Sequence, residues 1–123
     1  MGDRFVVGFR DTEETPTVWL YSHWGGSDRV ELIADAIGKA RPRWNDPGYA
    51  TRIAISRIVG DSWNEELGFG ITAGGRDFYQ PDYDDVHVVT WSDRTVVVQT
   101  LDGKRDLVNF GFEVFLSTVP VGR

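Results

Sequence analysis

The residue types best suited to bind a ligand are concentrated in one short segment, Tyr21-Ser22-His23-Trp24-Gly25-Gly26. His23 can donate a hydrogen bond or exchange a proton near neutral pH, and Trp24 can stack on a flat ring. A helix start follows the two glycines, and the free N–H groups there favour phosphate or carboxylate. Gly25 and Gly26 would let the backbone approach such an anion closely. The segment therefore predicts an anion-binding turn. The alternative is a tight strand-to-helix turn that His23 and Trp24 only support.

A second cluster of arginines and aromatic residues comes next in the chain. Tyr49 and Arg52 are three residues apart on a predicted helix, so they share one face. Arginine forks grip phosphate oxygens and rings stack on bases, so this composition is typical of nucleotide sites. Alternatively, Arg52 pairs with a carboxylate on a solvated helix face, and Trp44 caps the core between two helices. The predicted ligand site combines both clusters: His23, Trp24, Gly25, Gly26, Arg43, Trp44, Tyr49 and Arg52.

A third candidate is the acidic stretch Asp82-Tyr83-Asp84-Asp85, which His87 follows closely. Carboxylates and an imidazole can ligate a divalent cation. The spacing lacks the glycine and terminal glutamate of an EF-hand, however, and acidic loops are usually solvated. We therefore predict no metal site.

The catalytic inventory of the chain is small. Ser22 and His23 are adjacent on a predicted strand, so their side chains point to opposite faces and form a poor nucleophile–base pair. The sequence contains no Gly-x-Ser-x-Gly elbow, no His-Glu-x-x-His helix and no Walker lysine. These features weigh against an enzyme, and we predict no cofactor.

Size and charge narrow the class of protein. A chain of 123 residues is typical of a single domain, here residues 1–123. The net charge of −6 argues against general binding to a nucleic-acid backbone. There is no cysteine, and no apolar run is long enough for a signal peptide or a membrane span. We expect a cytoplasmic protein that does not bind membranes.

The first half of the chain predicts two strands followed by two helices. Residues 4–9 and 17–22 are rich in β-branched and aromatic residues and are joined by a polar turn, which indicates an antiparallel hairpin. Asp28 with Glu31 predicts a capping box for a helix that ends near residue 40. Asp46 and Pro47 predict the start of a second helix, which Gly60 ends.

The second half returns to strand patterns. Residues 67–72 alternate apolar residues with glycine, which leaves room for another element or a ligand. Residues 86–91 and 95–100 predict a hairpin, whereas 107–119 fits either a strand or a helix. The order predicts an α+β fold: a mainly antiparallel sheet with two consecutive helices packed on one face. The flat strand at 95–100 could pair edge to edge and make a homodimer.

Three patches in this order resemble small uncharacterised proteins of tailed phages and prophages, notably those of actinobacteria. The patches are residues 18–26, the pattern Arg43-Trp44-x-Asp46-Pro47-x-Tyr49-Ala50-x-Arg52-Ile53, and residues 66–71. They cover roughly the middle half of the chain. The resemblance implies a phage accessory protein in the cytoplasm of the host cell, and it brings no known activity with it.

Three functions follow as hypotheses. The first is a non-enzymatic binding protein that holds a small anionic, nucleotide-like ligand, such as a host immune signal that it sequesters. The second is an inhibitor or adaptor that contacts a host protein through exposed aromatic residues and the acidic loop around Tyr83. The third is a small acid–base hydrolase of phosphate esters built on His23.

Overall fold

The structure, a computed structural model, describes residues 2–119 and contains six strands and three α-helices. The elements in chain order are β1 (Phe5–Arg10), β2 (Thr17–Ser22), α1 (Arg29–Lys39), α2 (Pro47–Val59), β3 (Phe69–Gly74), β4 (Asp85–Thr90), β5 (Thr95–Thr100), β6 (Asp106–Gly111) and α3 (Phe112–Ser117). Short 3-10 turns at Gly26–Asp28, Arg41–Arg43 and Gly60–Asn64 precede α1, link α1 to α2, and follow α2.

The strands form one sheet in the order β3-β2-β1-β4-β5-β6. Only the contact between β1 and β4 is parallel, because the two helices and β3 intervene between these strands in sequence. The predicted α+β class with a mainly antiparallel sheet is therefore confirmed. The hairpins β1–β2 and β4–β5 also lie where the sequence predicts them.

All three helices pack on one side of the sheet, called here the helix face. The core on this face contains Phe5, Val7 and Phe9 of β1 together with Ile33 and Ile37 of α1. The aromatic rings Trp91, Phe112 and Phe115 complete it from the C-terminal half. The alternation of residues along β1 sends every second side chain to this face, as strand geometry requires.

The opposite side of the sheet, called here the loop face, has no helix over it within residues 2–119. It is covered by residues 75–84, the loop that joins β3 to β4, and Phe78 of this loop packs on Trp19 with ring centroids 4.9 Å apart. Arg76 stacks its guanidinium 5.0 Å from the same Trp19 ring. A loop, and not a helix, therefore covers the buried Trp19.

Three details differ from the sequence prediction. Asp28 and Asp46 occupy N-cap positions, but neither side chain makes a capping hydrogen bond, so the predicted capping box is wrong. Tight turns precede both helices and already bind the backbone N–H groups of these residues. The strand β5 lies between β4 and β6, so it has no free edge for the edge-to-edge dimer.

The ambiguous C-terminal segment contains both structures in succession. Strand β6 pairs with β5 and ends at Gly111, and α3 begins at the next residue. Phe112 and Phe115 are buried against the helix face, which explains why the same residues fit a helical period.

Candidate functional site

A concave cavity of about 460 Å³ lies on the loop face where β2 ends. It is called here the aromatic pocket, and it is lined by Tyr21, His23, Trp24, Tyr79 and residues 66–70. Strand β2 carries Tyr21, the turn after β2 carries His23 and Trp24, and the covering loop carries Tyr79. Cavities of this size with aromatic walls and few polar groups are typical of small-molecule sites.

The rings of the pocket meet edge to face. Tyr21 and Tyr79 have centroids 5.1 Å apart at 61°, and His23 and Trp24 have centroids 5.4 Å apart at 86°. The hydroxyl oxygen of Tyr21 lies 3.2 Å from Nδ1 of His23, within hydrogen-bonding distance. Trp24 and Tyr79 nevertheless expose 55% and 67% of their surface, so their faces are available to a ligand.

Ser22 holds the turn that presents His23 and Trp24. Its buried hydroxyl donates a hydrogen bond of 2.6 Å to the carbonyl of Trp24, and it accepts one of 3.2 Å from the Trp24 N–H. The N–H of His23 donates to the carbonyl of Gly68 at 2.8 Å, which extends the β2–β3 pairing by one step. The turn is therefore fixed from both sides, and Ser22 acts on Trp24 rather than on the imidazole.

Two glycines form the floor of the aromatic pocket. Gly68 has φ of +110°, and a Cβ atom at this position would overlap the six-membered ring of Trp24. Gly70 lies under Tyr79, where a Cβ would come within 3.6 Å of the ring. Of the alternating glycines predicted to leave room for another element or a ligand, Gly68 thus allows the Trp24 ring to lie against the backbone, whereas a Cβ at position 70 would make an ordinary contact with Tyr79.

The helix start after Gly26 is occupied by the chain itself. The carbonyl of Asp3 accepts a hydrogen bond from the Gly26 N–H at 2.7 Å, and its carboxylate accepts one from the Ser27 hydroxyl at 2.8 Å. Tyr83 donates to the same carboxylate, and the bonds from Tyr83 and Ser27 lower the pKa of Asp3 below its usual value. The anion that the sequence suggests for this turn is therefore, in the folded chain, the side chain of Asp3.

The geometry of Gly25 and Gly26 follows from this arrangement. Gly25 has φ of +85°, a left-handed conformation that glycine adopts readily. A Cβ on Gly26 would collide with the ring of Tyr83 and the backbone of Asp3. Neither glycine lines the aromatic pocket.

The remaining predicted residues lie around a different depression, called here the α2 pocket. This open hollow of about 360 Å³ is lined by Asp46, Gly48, Tyr49 and Arg52. Arg43 places its guanidinium 4.9 Å from the Tyr49 ring. No ion pair to Arg52 is present among residues 2–119. The eight predicted site residues are thus divided, and the two pockets have no lining residue in common.

Trp44 has a structural environment. Its indole N–H donates to the carbonyl of Ile37 at 2.9 Å, and its ring packs on Phe112 with centroids 4.8 Å apart. The guanidinium of Arg41 lies 4.5 Å from the centroid of the Trp44 ring, and Arg41 forms an ion pair with Glu113 at 2.9 Å. These contacts match the alternative in which Trp44 caps the core between the helices.

The acidic loop is tied to the rest of the fold. Arg4 binds both carboxylate oxygens of Asp82 and lowers the pKa of that carboxyl group to about 2. Asp85 faces Arg29 at 3.4 Å. Within residues 2–119 no group of three or more metal-ligating side chains comes together.

His87 lies on the helix face, on the same side of β4 as Asp85. Its ring packs 6.2 Å from that of Phe115, and burial lowers its pKa to about 4. The two histidines of the chain therefore differ in environment, since His23 is exposed at the aromatic pocket.

Seven residues of the aromatic pocket are absent from the predicted site: Tyr21, Tyr79 and residues 66–70. Tyr21 could have been found, because strand alternation places it on the same face as Trp19 and next to the glycine strand. Tyr79 and Glu66 lie in loops, and no periodicity indicates which way their side chains point.

Comparison with known proteins leaves the chain without an assigned relative. No protein-family model matches it, and no curated protein or solved structure is significantly similar to it. None of the helices within residues 2–119 is long and apolar enough to cross a membrane.

Proposed function

We propose that the chain is a non-enzymatic binding protein that holds a small nucleotide-like ligand by its heterocyclic ring. The observation that carries the proposal is the aromatic pocket, in which tyrosine, tryptophan and phenylalanine rings surround a cavity of about 460 Å³. Every base has a flat π-face, so stacking on exposed rings such as those of Trp24 and Tyr79 suits such a ligand.

The charges at the pocket define how that ligand would be held. Among the described residues, Glu66 is the one charged side chain in the lining, which contains neither arginine nor lysine. A carboxylate accepts hydrogen bonds from ring N–H and amino groups, and it repels phosphate. The ring of the ligand would therefore supply the affinity, and any phosphate would remain outside the pocket.

Two features support binding over turnover. The Ser22 hydroxyl is buried and donates to the Trp24 carbonyl, so it is not available to His23 as a nucleophile. The imidazole of His23 has the Tyr21 hydroxyl as its neighbour, and this contact orients the ring toward the pocket. In the phage setting that the sequence resemblance implies, holding a host signalling nucleotide out of circulation is the role we propose.

Calorimetric titration with the common ribonucleosides, their 5′-monophosphates and cyclic dinucleotides tests this function. At least one nucleoside should bind, and its monophosphate should bind no more tightly, because Glu66 disfavours the added charge. Tyr79→Ala should weaken binding by about tenfold or more, the loss expected for one stacking ring. The matched control is Tyr49→Ala, which removes another exposed tyrosine, from the α2 pocket, and should leave affinity unchanged.

Two outcomes would overturn the proposal. If none of these compounds binds, the pocket does not take a nucleotide-like ring. If a bound nucleotide is hydrolysed and His23→Ala abolishes the turnover, the protein is an enzyme and the hydrolase hypothesis replaces this one.

The alternative function, binding to a host protein, also has an observation in its favour. Exposed apolar side chains surround β3 at the edge of the sheet, among them Trp63, Leu67 and Ile71. The acidic loop is less suited to be the contact surface, because Arg4 and Arg29 already hold Asp82 and Asp85.

A further inference from the structure

Strand β3 is an open edge of the sheet. It pairs with β2 over six consecutive residues, from Phe69 to Gly74, and no strand pairs with its other side within residues 2–119. An unpaired edge presents a row of N–H and C=O groups that can template another strand.

The strand lacks three of the devices that usually protect an edge: charge, proline and a bulge. Its sequence, FGITAG, contains no charged residue and no proline, and its pairing with β2 has no bulge. The opposite edge, β6, differs on these points, since it begins with Asp106 and its pairing is interrupted by a register shift at Val98 and Gln99. The two edges of the same sheet are therefore not equally open to a partner.

Apolar cavities flank β3 on both faces of the sheet. The aromatic pocket lies on the loop face, and a second hollow of about 170 Å³, called here the edge groove, lies on the helix face. Trp63 and Ile71 line the edge groove and are 48% and 49% exposed, and Leu67 at the rim of the aromatic pocket is 77% exposed. Successive side chains of a strand added to β3 would point alternately into these two cavities.

The charge at both cavities has one sign. Glu66 lines the aromatic pocket and Glu65 lines the edge groove, and neither lining contains lysine or arginine from residues 2–119. The chain as a whole carries a net charge of −6, so two copies repel each other. The surface is thus complementary to a basic partner and poorly suited to a second copy of the chain.

We propose that β3 binds an extended peptide segment of a partner protein by strand addition, and that this segment combines apolar residues with lysine or arginine. Main-chain hydrogen bonds to the β3 edge would supply affinity, and the two flanking cavities would select alternate side chains. This inference goes beyond the small-molecule function, because it also requires the unpaired main chain of β3 and the edge groove, whose lining shares only Phe69 and Gly70 with that of the aromatic pocket.

The test uses synthetic octapeptides with valine, isoleucine or phenylalanine at alternate positions and lysine at the others, and the same peptides with glutamate in place of lysine. Fluorescence anisotropy should show binding at least tenfold tighter for the lysine set, and hydrogen exchange should show protection of the β3 amides on binding. Trp63→Ala and Ile71→Lys should each weaken the lysine set by about tenfold, since both residues are exposed and the fold should survive their replacement.

The control variant is Leu107→Ala, which removes a similarly exposed apolar residue from β6 and should leave peptide binding unchanged. Three results would overturn the proposal: equal binding of the lysine and glutamate sets, loss of binding with Leu107→Ala but not with Trp63→Ala, or a concentration-dependent dimer that Ile71→Lys dissociates. A nucleoside that binds while every peptide fails would reject strand addition alone and leave the small-molecule function standing.

Discussion

The two faces of the sheet use the same residue types for different purposes. On the helix face, Trp44, Trp91 and His87 are enclosed by helices and make contacts that hold the core together. On the loop face, Tyr21 lies beneath the irregular chain that carries Tyr79, and this chain leaves a cavity open. Aromatic and titratable residues of this protein are therefore accessible to a ligand on the face that a loop covers, and they are buried on the face that helices cover.

The difference has a physical origin in the covering elements. A helix presents a continuous stripe of side chains that fills the space above a sheet to the density of a protein interior. Residues 75–84 present only Arg76 and Phe78 over Trp19, and the chain leaves β3 partly uncovered. Four substitutions, each with a matched control or readout, test this difference between the two faces.

Gly68→Ala should have the largest effect, because it introduces both a strained φ of +110° and an overlap with the Trp24 ring. We expect a loss of about 2 to 4 kcal/mol in the free energy of unfolding, together with loss of the aromatic pocket. Urea denaturation measures the first effect, and nucleoside titration measures the second.

The matched change is Gly48→Ala in the α2 pocket. A Cβ there would approach no neighbouring atom closer than 4.0 Å, and alanine favours helices more than glycine does. This variant should be neutral or slightly more stable than the unmodified chain. Equal stability of the two alanine variants would show that Gly68 does not form a tight floor for the pocket.

His87→Leu should change how stability depends on pH. Burial lowers the pKa of His87 from 6.5 to about 4, so the unfolded chain binds more protons than the folded chain between these values. The free energy of unfolding should therefore be highest above pH 6.5 and should decrease as the pH falls toward 4. The decrease that His87 causes is about 3 kcal/mol at most. Denaturation curves at several pH values should show a smaller pH dependence in the leucine variant.

His23→Leu provides the comparison from the loop face. His23 is exposed, so its replacement should change the free energy of unfolding at pH 7 by less than about 0.5 kcal/mol. A larger loss in urea denaturation would show that His23 supports the turn after β2 and does not only line the pocket.

Asp82→Asn should loosen residues 75–84, which cover the loop face, and should affect stability less than His87→Leu does. Arg4 lowers the pKa of Asp82 from 3.8 to about 2. The ion pair therefore contributes to stability above pH 3.8, and this contribution is lost as the pH falls toward 2. Exchange of amide protons in residues 75–84 should become faster at neutral pH, and about 1 M salt should reduce the difference from the unmodified chain. Asp84→Asn, an exposed acid in the same loop with no ion pair among the described residues, should show no such change.

Arg52→Ala should have the smallest effect. The residue is exposed on α2 and lines only the α2 pocket, so stability should change by less than about 0.5 kcal/mol. Affinity for a nucleoside should also be unchanged. A large loss of affinity would show that the two pockets act as one site, as the sequence prediction supposes.

Much of the fold could be predicted because local signals and tertiary packing agree. Strands β2 and β5 have the predicted bounds, and α2 begins at Pro47 and ends before Gly60, where proline and glycine favour these positions. Capping at Asp28 could not be predicted reliably, since the 3-10 turn before α1 depends on contacts between Gly26 and the distant Asp3.

The candidate site could be predicted only in part, because some of its residues come from segments that are distant in sequence. His23 and Trp24 line a pocket as neighbours in sequence, whereas Tyr79 and Glu66 reach it from segments more than forty residues away. Nearness in sequence also suggested that Arg43 and Arg52 complete this site, but α2 holds Arg52 at a separate hollow and Arg43 stacks on Tyr49 beside it.

Local patterns in the sequence were enough to predict the class of fold, the positions of the two long helices and the glycine pattern of β3. These features depend on periodicity and turn chemistry, which act over a few residues. Tertiary structure alone decided that Asp3 fills the helix start, that β3 and not β5 is an open edge, and that the aromatic pocket carries a glutamate. Each of these depends on which distant segments the sheet order brings together, and no local pattern encodes that order.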